Sequence, residues 1–160
     1  MYSIGDLVSY PMHGAGVIEA IEERETQNGD SRRYYVLHFP IGDMKVMVPM
    51  DNIEGVGLRN VITMQEYALV IEKLSEEEDP CSDNWNKRYR ENLDKMRSGC
   101  IFDTAEVVKN LTLRENRKGL STGERKMLGN ARQILLSEMM LVSEKDESEL
   151  SDLIDSIICG

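Results

Sequence analysis

Polar and hydrophobic positions follow two different periods along the chain, and the period changes near residue 60. In residues 1–60, short hydrophobic runs alternate with polar residues, and glycines, prolines and an Asn28-Gly29 pair separate them. Asn-Gly between two such runs is a strong local signal for a β-hairpin. Short strands joined by tight turns predict one small, strongly bent sheet or barrel. The predicted strands are Leu7–Tyr10, Gly16–Glu22, Arg33–Phe39 and Met44–Val48.

From residue 63 onward, hydrophobic residues recur at helical spacing and helix starts are recognisable. Thr63 with Glu66 has the pattern of a capping box, in which side chain and backbone satisfy each other at the first turn. The acidic run Glu76–Asp79, followed by Pro80, interrupts the helical pattern and is interpreted as a flexible linker, although such a run can also bind a cation. Five helices are expected. The first starts at Thr63, the second near Trp85, the third with Asp103 as its cap, the fourth at a second capping box of Ser121 and Glu124, and the fifth shortly before Leu150.

The change of period is interpreted as a domain boundary. A chain of 160 residues is long enough for one ordinary domain or two small ones. We therefore expect a β domain over residues 1–60 and a helical domain over residues 61–160. The predicted fold class is α+β, with a small all-β unit followed by a compact all-α unit of about five helices.

Positive charge is concentrated in one segment of an acidic chain. The formal net charge is −10 at pH 7, yet residues 85–133 carry twelve lysines and arginines against six acidic residues. This segment opens with the only tryptophan, Trp85, followed closely by Lys87, Arg88 and Arg90. Cations hold phosphates and a flat aromatic side chain stacks on bases. The pattern predicts a grip on the nucleic-acid backbone without sequence specificity, with an aromatic wedge.

A packing role is the alternative interpretation of Trp85. Its position in the first turn of a helix, beside cations, favours projection into solvent. Its spacing to later apolar residues favours burial, since tryptophan is usually well buried. Arg125 and Lys126, at the entry to the fourth helix, add positive charge that we expect on the same side. The apolar stripe of the packing interpretation consists of Trp85, Tyr89, Leu93 and Met96.

Signatures of catalysis and metal binding are absent from the sequence. His13 and His38 stand apart from any second ligand or nucleophile, and structural roles are expected for both. Cys81, Cys100 and Cys159 show no metal-binding spacing and are expected to be free thiols. No phosphate-binding loop, nucleophile elbow or metalloprotease motif occurs. We expect no cofactor, no metal and no enzymatic activity.

Short segments along nearly the whole chain match one protein family in order. Each segment is weak by itself, and the ordered set is strong. By these segments the chain resembles the CarD/CdnL family of bacterial transcription regulators. The clearest are Gly5-Asp6-x-Val8, Tyr10-Pro11-x-His13-Gly14-Ala15, Val48-Pro49, Asn84-Trp85-x-x-Arg88-Tyr89, Ala105-Glu106-Val107-Val108, Gly119-Leu120-Ser121 and Ala131-Arg132-Gln133-Ile134-Leu135.

The resemblance implies a Tudor-like, SH3-like N-terminal barrel that binds the β subunit of RNA polymerase. It also implies a helical domain that contacts promoter DNA, with a tryptophan wedged into the minor groove at the upstream edge of the melted bubble. Trp85 matches that tryptophan, and Lys87, Arg88 and Arg90 match the basic positions beside it. Arg24 matches a basic residue used at the polymerase contact. The implied function is stabilisation of the open promoter complex.

One position departs from the family pattern at the expected polymerase contact. Met47 stands where relatives can carry a basic residue, and Lys45 lies two residues away on the same strand face. Lys45 is a candidate substitute, and the contact is otherwise more apolar here. Pairing at a sheet edge is the expected mode of binding, because it suits an all-β module with an open strand.

The expected partners are RNA polymerase and promoter DNA, with no membrane partner and a monomeric chain. Neither a signal peptide nor an apolar run of membrane-spanning length is present, so a cytoplasmic location is expected. A protein-interaction adaptor on the polymerase, without direct DNA contact, is the alternative function. In that case Trp85 is a packing or interface residue, and promoter complexes show no added DNA protection.

Overall fold

The computed structural model describes residues 1–160 as an antiparallel sheet followed by a helical bundle, which confirms the predicted α+β class. The strands are β1 Leu7–Tyr10, β2 Gly14–Glu25, β3 Ser31–Phe39, β4 Met44–Pro49 and β5 Arg59–Asn60. A 3-10 turn, Met50–Asn52, leads into a one-turn helix, α1 Ile53–Val56. The remaining five helices are α2 Met64–Leu74, α3 Trp85–Arg97, α4 Ile101–Arg117, α5 Thr122–Ser143 and α6 Glu147–Cys159.

The five strands form one sheet in the order β4-β3-β2-β1-β5, with every neighbouring pair antiparallel. The predicted hairpin is present: Gly29 takes a φ of +83° and donates its N–H to the carbonyl oxygen of Thr26. A register shift between Ile18 and Ala20 bends the long strand β2, as bulges do. Strands β4 and β5 are the two edges, so β4 has one open side.

Two separate hydrophobic clusters hold the chain together. Seven buried residues under the sheet form the first, with Ile18, Tyr35 and Leu37 almost completely buried. Nineteen buried residues from the helical part form the second, with Leu135 and Ile154 among those of zero exposure. The division at residue 60 stays a prediction.

No helix is long and apolar enough to cross a membrane, and no group of three or more His, Cys, Asp or Glu side chains is placed to hold a metal ion.

Local start signals succeed at one helix and fail at another. At α2 the capping box is present, because Thr63 Oγ1 accepts the N–H of Glu66 and the Glu66 carboxylate accepts the N–H of Thr63. The predicted cap at Asp103 is wrong, since α4 begins two residues earlier, at Ile101. Asp103 lies in the first turn instead and accepts a hydrogen bond from the Ser98 hydroxyl at the end of α3. The turn between the helices is therefore shorter than the sequence suggests.

The acidic segment Glu76–Asp79 connects α2 to α3 without helix or strand, as predicted for a linker, and ion pairs tie it to α4. The Lys109 ammonium group, in a completely buried side chain, lies 3.3 Å from a carboxylate oxygen of Asp79. Arg117 binds both carboxylate oxygens of Glu78 at 2.9 and 3.0 Å. A buried lysine needs a counter-charge, and the segment supplies it.

The sheet and the helices meet in a polar joint at one end of α5. Arg59 of β5 donates two hydrogen bonds, of 2.7 and 2.8 Å, to the carboxylate of Glu138. The same carboxylate accepts the backbone N–H of Ile62 at 2.8 Å. Beside it, the N–H of Ala15 in β2 donates to Ser137 Oγ at 2.8 Å. These contacts set the direction in which α5 leaves the sheet.

Candidate nucleic-acid interface

Trp85 is the first residue of α3 and lies at the surface, with 40% of its area exposed. Its ring stacks on Tyr89, one helical turn later, at a centroid distance of 5.0 Å and an interplanar angle of 20°. Its indole Nε1–H donates to Ser121 Oγ at 2.9 Å, where α5 begins. The packing interpretation of Trp85 therefore holds only in part, since the indole is stacked and hydrogen-bonded while 40% of the residue stays exposed.

The start of α5 forms part of the support under the indole. A Cβ atom added at Gly123 would lie 3.5 Å from the Trp85 ring and 3.8 Å from the Tyr89 ring, an ordinary contact distance. The backbone of α5 thus passes close to both rings. An aromatic side chain held this way loses little further freedom when it binds, which favours affinity.

Arg88 points inward, although the sequence predicts that it holds a phosphate. Only 6% of its area is exposed, and its Nε and Nη2 donate to the two carboxylate oxygens of Glu124 at 2.9 and 3.2 Å. Its Nη1 donates to the backbone oxygen of Ser82 at 3.1 Å. The structure gives Arg88 the role of joining α3 to α5, because its donors are already used inside the protein.

The charges of the Arg88–Glu124 pair stabilise each other. The hydrogen bond to Glu124 raises the pKa of Arg88 above its usual value. Burial by itself would raise the pKa of Glu124, and the hydrogen bonds and charge of Arg88 outweigh it, so that the net pKa lies below the usual value. Both groups are therefore charged at neutral pH and act as one ionic contact between the two helices.

The inward stripe of α3 differs from the one that hydrophobicity predicts. The buried residues are Arg88, Asn92 and Met96, at successive turns of the helix. The apolar stripe that runs from Trp85 through Tyr89 is rotated toward the margin of the bundle, where the side chains are only partly covered. Hydrophobicity alone misplaces the inward face because Arg88 and Asn92 are polar, and Arg88 is buried with its partner Glu124 inside the bundle.

The other predicted cations are exposed around the two helix starts. Arg90 and Lys126 have no ion-pair partner, and Lys87 has only a long contact of 4.0 Å to Glu91. Arg125 forms a surface pair with Glu115 at 3.3 Å. Trp85 and Ser121 bring the first turns of α3 and α5 together, and these cations lie within the first two turns of those helices. We call Trp85, Lys87, Arg90, Arg125 and Lys126 the Trp85 surface.

Ser121, Gly123 and Glu124 support this surface and were not predicted to do so. The sequence identifies Ser121 and Glu124 only as a capping box. Ser121 Oγ does accept the N–H of Glu124 at 3.2 Å. The Glu124 carboxylate, however, turns to Arg88, so the capping box is only half formed. No local signal reveals this partner, which lies 36 residues away in the sequence.

The predicted polymerase-contacting residues lie at two places on the sheet. Lys45 and Met47 project from the same face of the edge strand β4, and Lys45 pairs with Glu19 at 3.2 Å. Arg24 lies on β2 opposite Arg32, six positions along β3 from the residue opposite Lys45, or roughly 20 Å at strand spacing. Arg24 is exposed and pairs with Glu22 at 3.1 Å. The structure therefore brings Lys45 and Met47 together and places Arg24 apart.

Comparisons with known proteins agree in both halves of the chain. Residues 2–62 match the family model described as the CarD-like/TRCF RID domain, and residues 69–155 match that of the CarD C-terminal domain. A protein of Bacillus subtilis (strain 168) named "Putative transcription factor YdeB" is 37% identical over 150 residues, which cover 94% of this chain and 97% of that protein. The solution NMR structure of the 72-residue N-terminal domain of Myxococcus xanthus CarD is 27% identical, covers 38% of this chain and 79% of that one, and has a TM-score of 0.33.

The two family models together span most of the chain, and the C-terminal model alone matches more than half of it. The family is one of transcription regulators and is not a known enzyme family. Its N-terminal module is an RNA polymerase interaction domain. The chain therefore belongs to the CarD/CdnL family of transcription regulators that interact with RNA polymerase.

Proposed function

We propose that this protein stabilises the open promoter complex by binding two partners at once. The sheet binds the β subunit of RNA polymerase, and the Trp85 surface contacts promoter DNA at the upstream edge of the melted bubble. The observation that carries the proposal is the geometry of Trp85: an exposed indole, stacked and hydrogen-bonded in place, among cations in an acidic protein. No bond chemistry is involved.

The indole supplies the preference for melted DNA. An aromatic side chain stacked on a base contributes about 1–3 kcal/mol in single-strand complexes. If this contact forms only when the upstream step is unstacked, it shifts the balance between closed and open complex by roughly tenfold to a hundredfold. Trp85 suits this role because Tyr89 and Ser121 hold its ring while 40% of the residue stays exposed.

The exposed cations supply the attraction to DNA without reading its sequence. Lys87, Arg90 and Lys126 are free to bind phosphates, whereas Arg88 positions the start of α3 through Glu124. The remainder of the chain is acidic, and its field repels DNA from other faces. The Trp85 surface is thereby favoured as the face that meets the duplex.

The sheet supplies the tether. Strand β4 is an edge with an open main chain, which is the feature needed to add a strand from a partner. Lys45 and Met47 project from this strand, and Arg24 offers a second contact farther along the sheet. Binding to the polymerase raises the local concentration of the Trp85 surface at the promoter, so weak DNA contacts suffice. A monomer is enough for this geometry.

The decisive experiment measures the lifetime of open complexes on the cognate polymerase, with wild-type protein, Trp85→Ala and Leu69→Ala. Leu69 is an exposed hydrophobic residue of α2 and serves as the matched control. The wild type and Leu69→Ala are expected to lengthen the lifetime, and Trp85→Ala is expected to lose this effect while circular dichroism shows an unchanged fold. A full effect of the folded Trp85→Ala variant contradicts the wedge. If the wild type binds polymerase and leaves the lifetime unchanged, the adaptor function replaces the proposal.

A further inference from the structure

Helix α5 carries two almost completely buried glutamates, each bound by an arginine from a different part of the chain. Glu124 and Glu138 are both 2% exposed. Arg88 of α3 forms a bidentate ion pair with Glu124, and Arg59 of β5 forms another with Glu138. The glutamates are fourteen positions apart, which is about four helical turns and about 21 Å along the axis. They therefore lie on nearly the same face of the helix.

At the sheet end of α5, close packing of the backbone against β2 adds to the Arg59–Glu138 ion pair. Gly14 of β2 has a φ of +103°, and a Cβ atom there would lie only 2.6 Å from Ser137 Oγ. The backbone of β2 therefore approaches α5 as closely as a glycine permits. Together with the hydrogen bond from Ala15 to Ser137 and the Arg59–Glu138 pair, this contact restricts sliding and rotation of α5 on the sheet.

The far end of α5 holds the tryptophan directly. Ser121 accepts the indole N–H, Gly123 lies against the ring, and Glu124 fixes the start of α3 through Arg88. An unbroken series of ordered contacts thus runs from the edge strand β4 across the sheet to β2, along α5 and into Trp85. At both ends of α5 an arginine guanidinium binds a glutamate through two N–H groups, and this geometry restricts the orientation of the helix as well as its distance.

We propose that α5 is a rigid spacer that sets the distance and direction from the β4 edge to the Trp85 surface, with Arg59 and Glu138 as positioning residues. The proposal rests on the proposed function, in which polymerase and DNA are bound at once. Simultaneous binding gains from a tether only when its span matches the separation of the two sites. A buried ion pair often adds little to stability, whereas it can specify one arrangement, and that is the role assigned to Arg59 and Glu138.

The test compares two double variants that each neutralise an arginine–glutamate pair. Arg59→Gln/Glu138→Gln removes the ion pair of the joint without leaving one buried charge unpaired, and the amide oxygen of the Glu138→Gln side chain can still accept the Ile62 N–H. Arg117→Gln/Glu78→Gln is the matched control. It removes an ion pair with two hydrogen bonds that does not involve the sheet. Unfolding in urea establishes that each variant is folded.

Three quantities are measured on the full chain. The first is the distance distribution between spin labels at Cys81, near the start of α3, and at Glu23→Cys on β2, with Cys100→Ser and Cys159→Ser in the background. Cys81 and Glu23 are both exposed. The second is the affinity for the cognate polymerase, and the third is the open-complex lifetime, both measured with unlabelled protein.

We expect one narrow distance distribution for the wild type and the control, and a broadened or displaced one for Arg59→Gln/Glu138→Gln. That variant is expected to keep its polymerase affinity and to lose most of the gain in open-complex lifetime. A broad wild-type distribution overturns the spacer, as does an unchanged distribution in the variant. A broadened distribution with the full lifetime gain overturns its positioning role. If the wild type gives no lifetime gain, the proposed function fails, and the distance distributions alone decide whether α5 is a rigid spacer.

Discussion

The Trp85 surface and the β4 edge present their binding groups in different ways. At the Trp85 surface, side chains from two helix starts meet, and a buried Arg88–Glu124 pair holds those starts together. At the β4 edge, the exposed group is the main chain of an edge strand, with Lys45 and Met47 on one face. A surface made of side chains depends on a few residues, whereas a strand edge depends on the fold of the sheet.

The two regions also differ in the freedom of their charges. Arg90 and Lys126 have no acidic partner, whereas Lys45 and Arg24 on the sheet pair with Glu19 and Glu22. Exposed pairs of this kind contribute only about 0–1 kcal/mol, so a binding partner can replace them. Under the proposed function, the free cations would attract DNA at a distance, whereas the sheet residues would act only at contact. Substitutions in each region should therefore have different signatures.

The largest expected effect is a difference in stability between substitutions at two adjacent cations, Arg88, which is buried, and Lys87, which is exposed. Arg88→Ala leaves the Glu124 carboxylate buried without its cationic partner, which should cost about 3–5 kcal/mol of stability. Lys87→Ala should change stability by less than about 0.5 kcal/mol, because Lys87 is exposed. Urea unfolding measures both. Equal stabilities of the two variants would show that the Arg88–Glu124 pair does not hold the helices together.

The next effect concerns the salt dependence of DNA contact. A variant with glutamine at Lys87, Arg90 and Lys126 should bind promoter complexes with a log–log salt slope shallower by up to about 3, because each phosphate contact contributes about one unit. The slope is measured from the affinity for polymerase–promoter complexes at several salt concentrations. An unchanged slope would remove these cations from the interface. The matched control makes the same charge change outside the Trp85 surface, at Arg33, Arg97 and Lys145.

A smaller effect is expected at the β4 edge. Met47→Arg introduces a basic residue at the expected contact and should strengthen polymerase binding, and Met47→Glu should weaken it. A single exposed charge changes affinity by up to about 1 kcal/mol, or roughly fivefold. The same two substitutions at Met44, which is exposed on the opposite face of β4, are the control. Equal effects at both positions would indicate that the Met47 face is not the contact.

The smallest effect is the acid dependence of the Arg88–Glu124 pair. The pKa of Glu124 is lowered in the folded protein, so the pair stabilises the fold at neutral pH and loses this contribution as the pH falls below the ordinary value of 4.5. The stability difference between the wild type and Glu124→Gln should therefore shrink from pH 7 toward pH 3. Urea unfolding across this range measures it. Glu77→Gln, at an exposed acid, should show no such trend, and a constant difference for Glu124→Gln would contradict the assignment.

Features encoded within one element were predicted well. The four main strands, the Asn28-Gly29 hairpin and the capping box at Thr63 follow from neighbouring residues, and the structure contains all of them. The start of α3 at Trp85 was likewise predicted. Apart from the cap at Asp103, the errors concern partners. The acidic segment before α3 is tied to Lys109, and Arg88 faces Glu124, because helices that are distant in the sequence pack side by side.

The sequence by itself determined the two periods, the concentration of cations after Trp85 and the family to which the chain belongs. Only the tertiary structure decided which of those cations face the solvent and what holds the indole. Spacing within an element specifies its own faces, since each residue's position follows from those beside it. Whether an arginine is a surface charge or half of a buried pair depends on the helix that packs against it. Ser121, Gly123 and Glu124 meet Trp85 and Arg88 only once α5 lies across the start of α3.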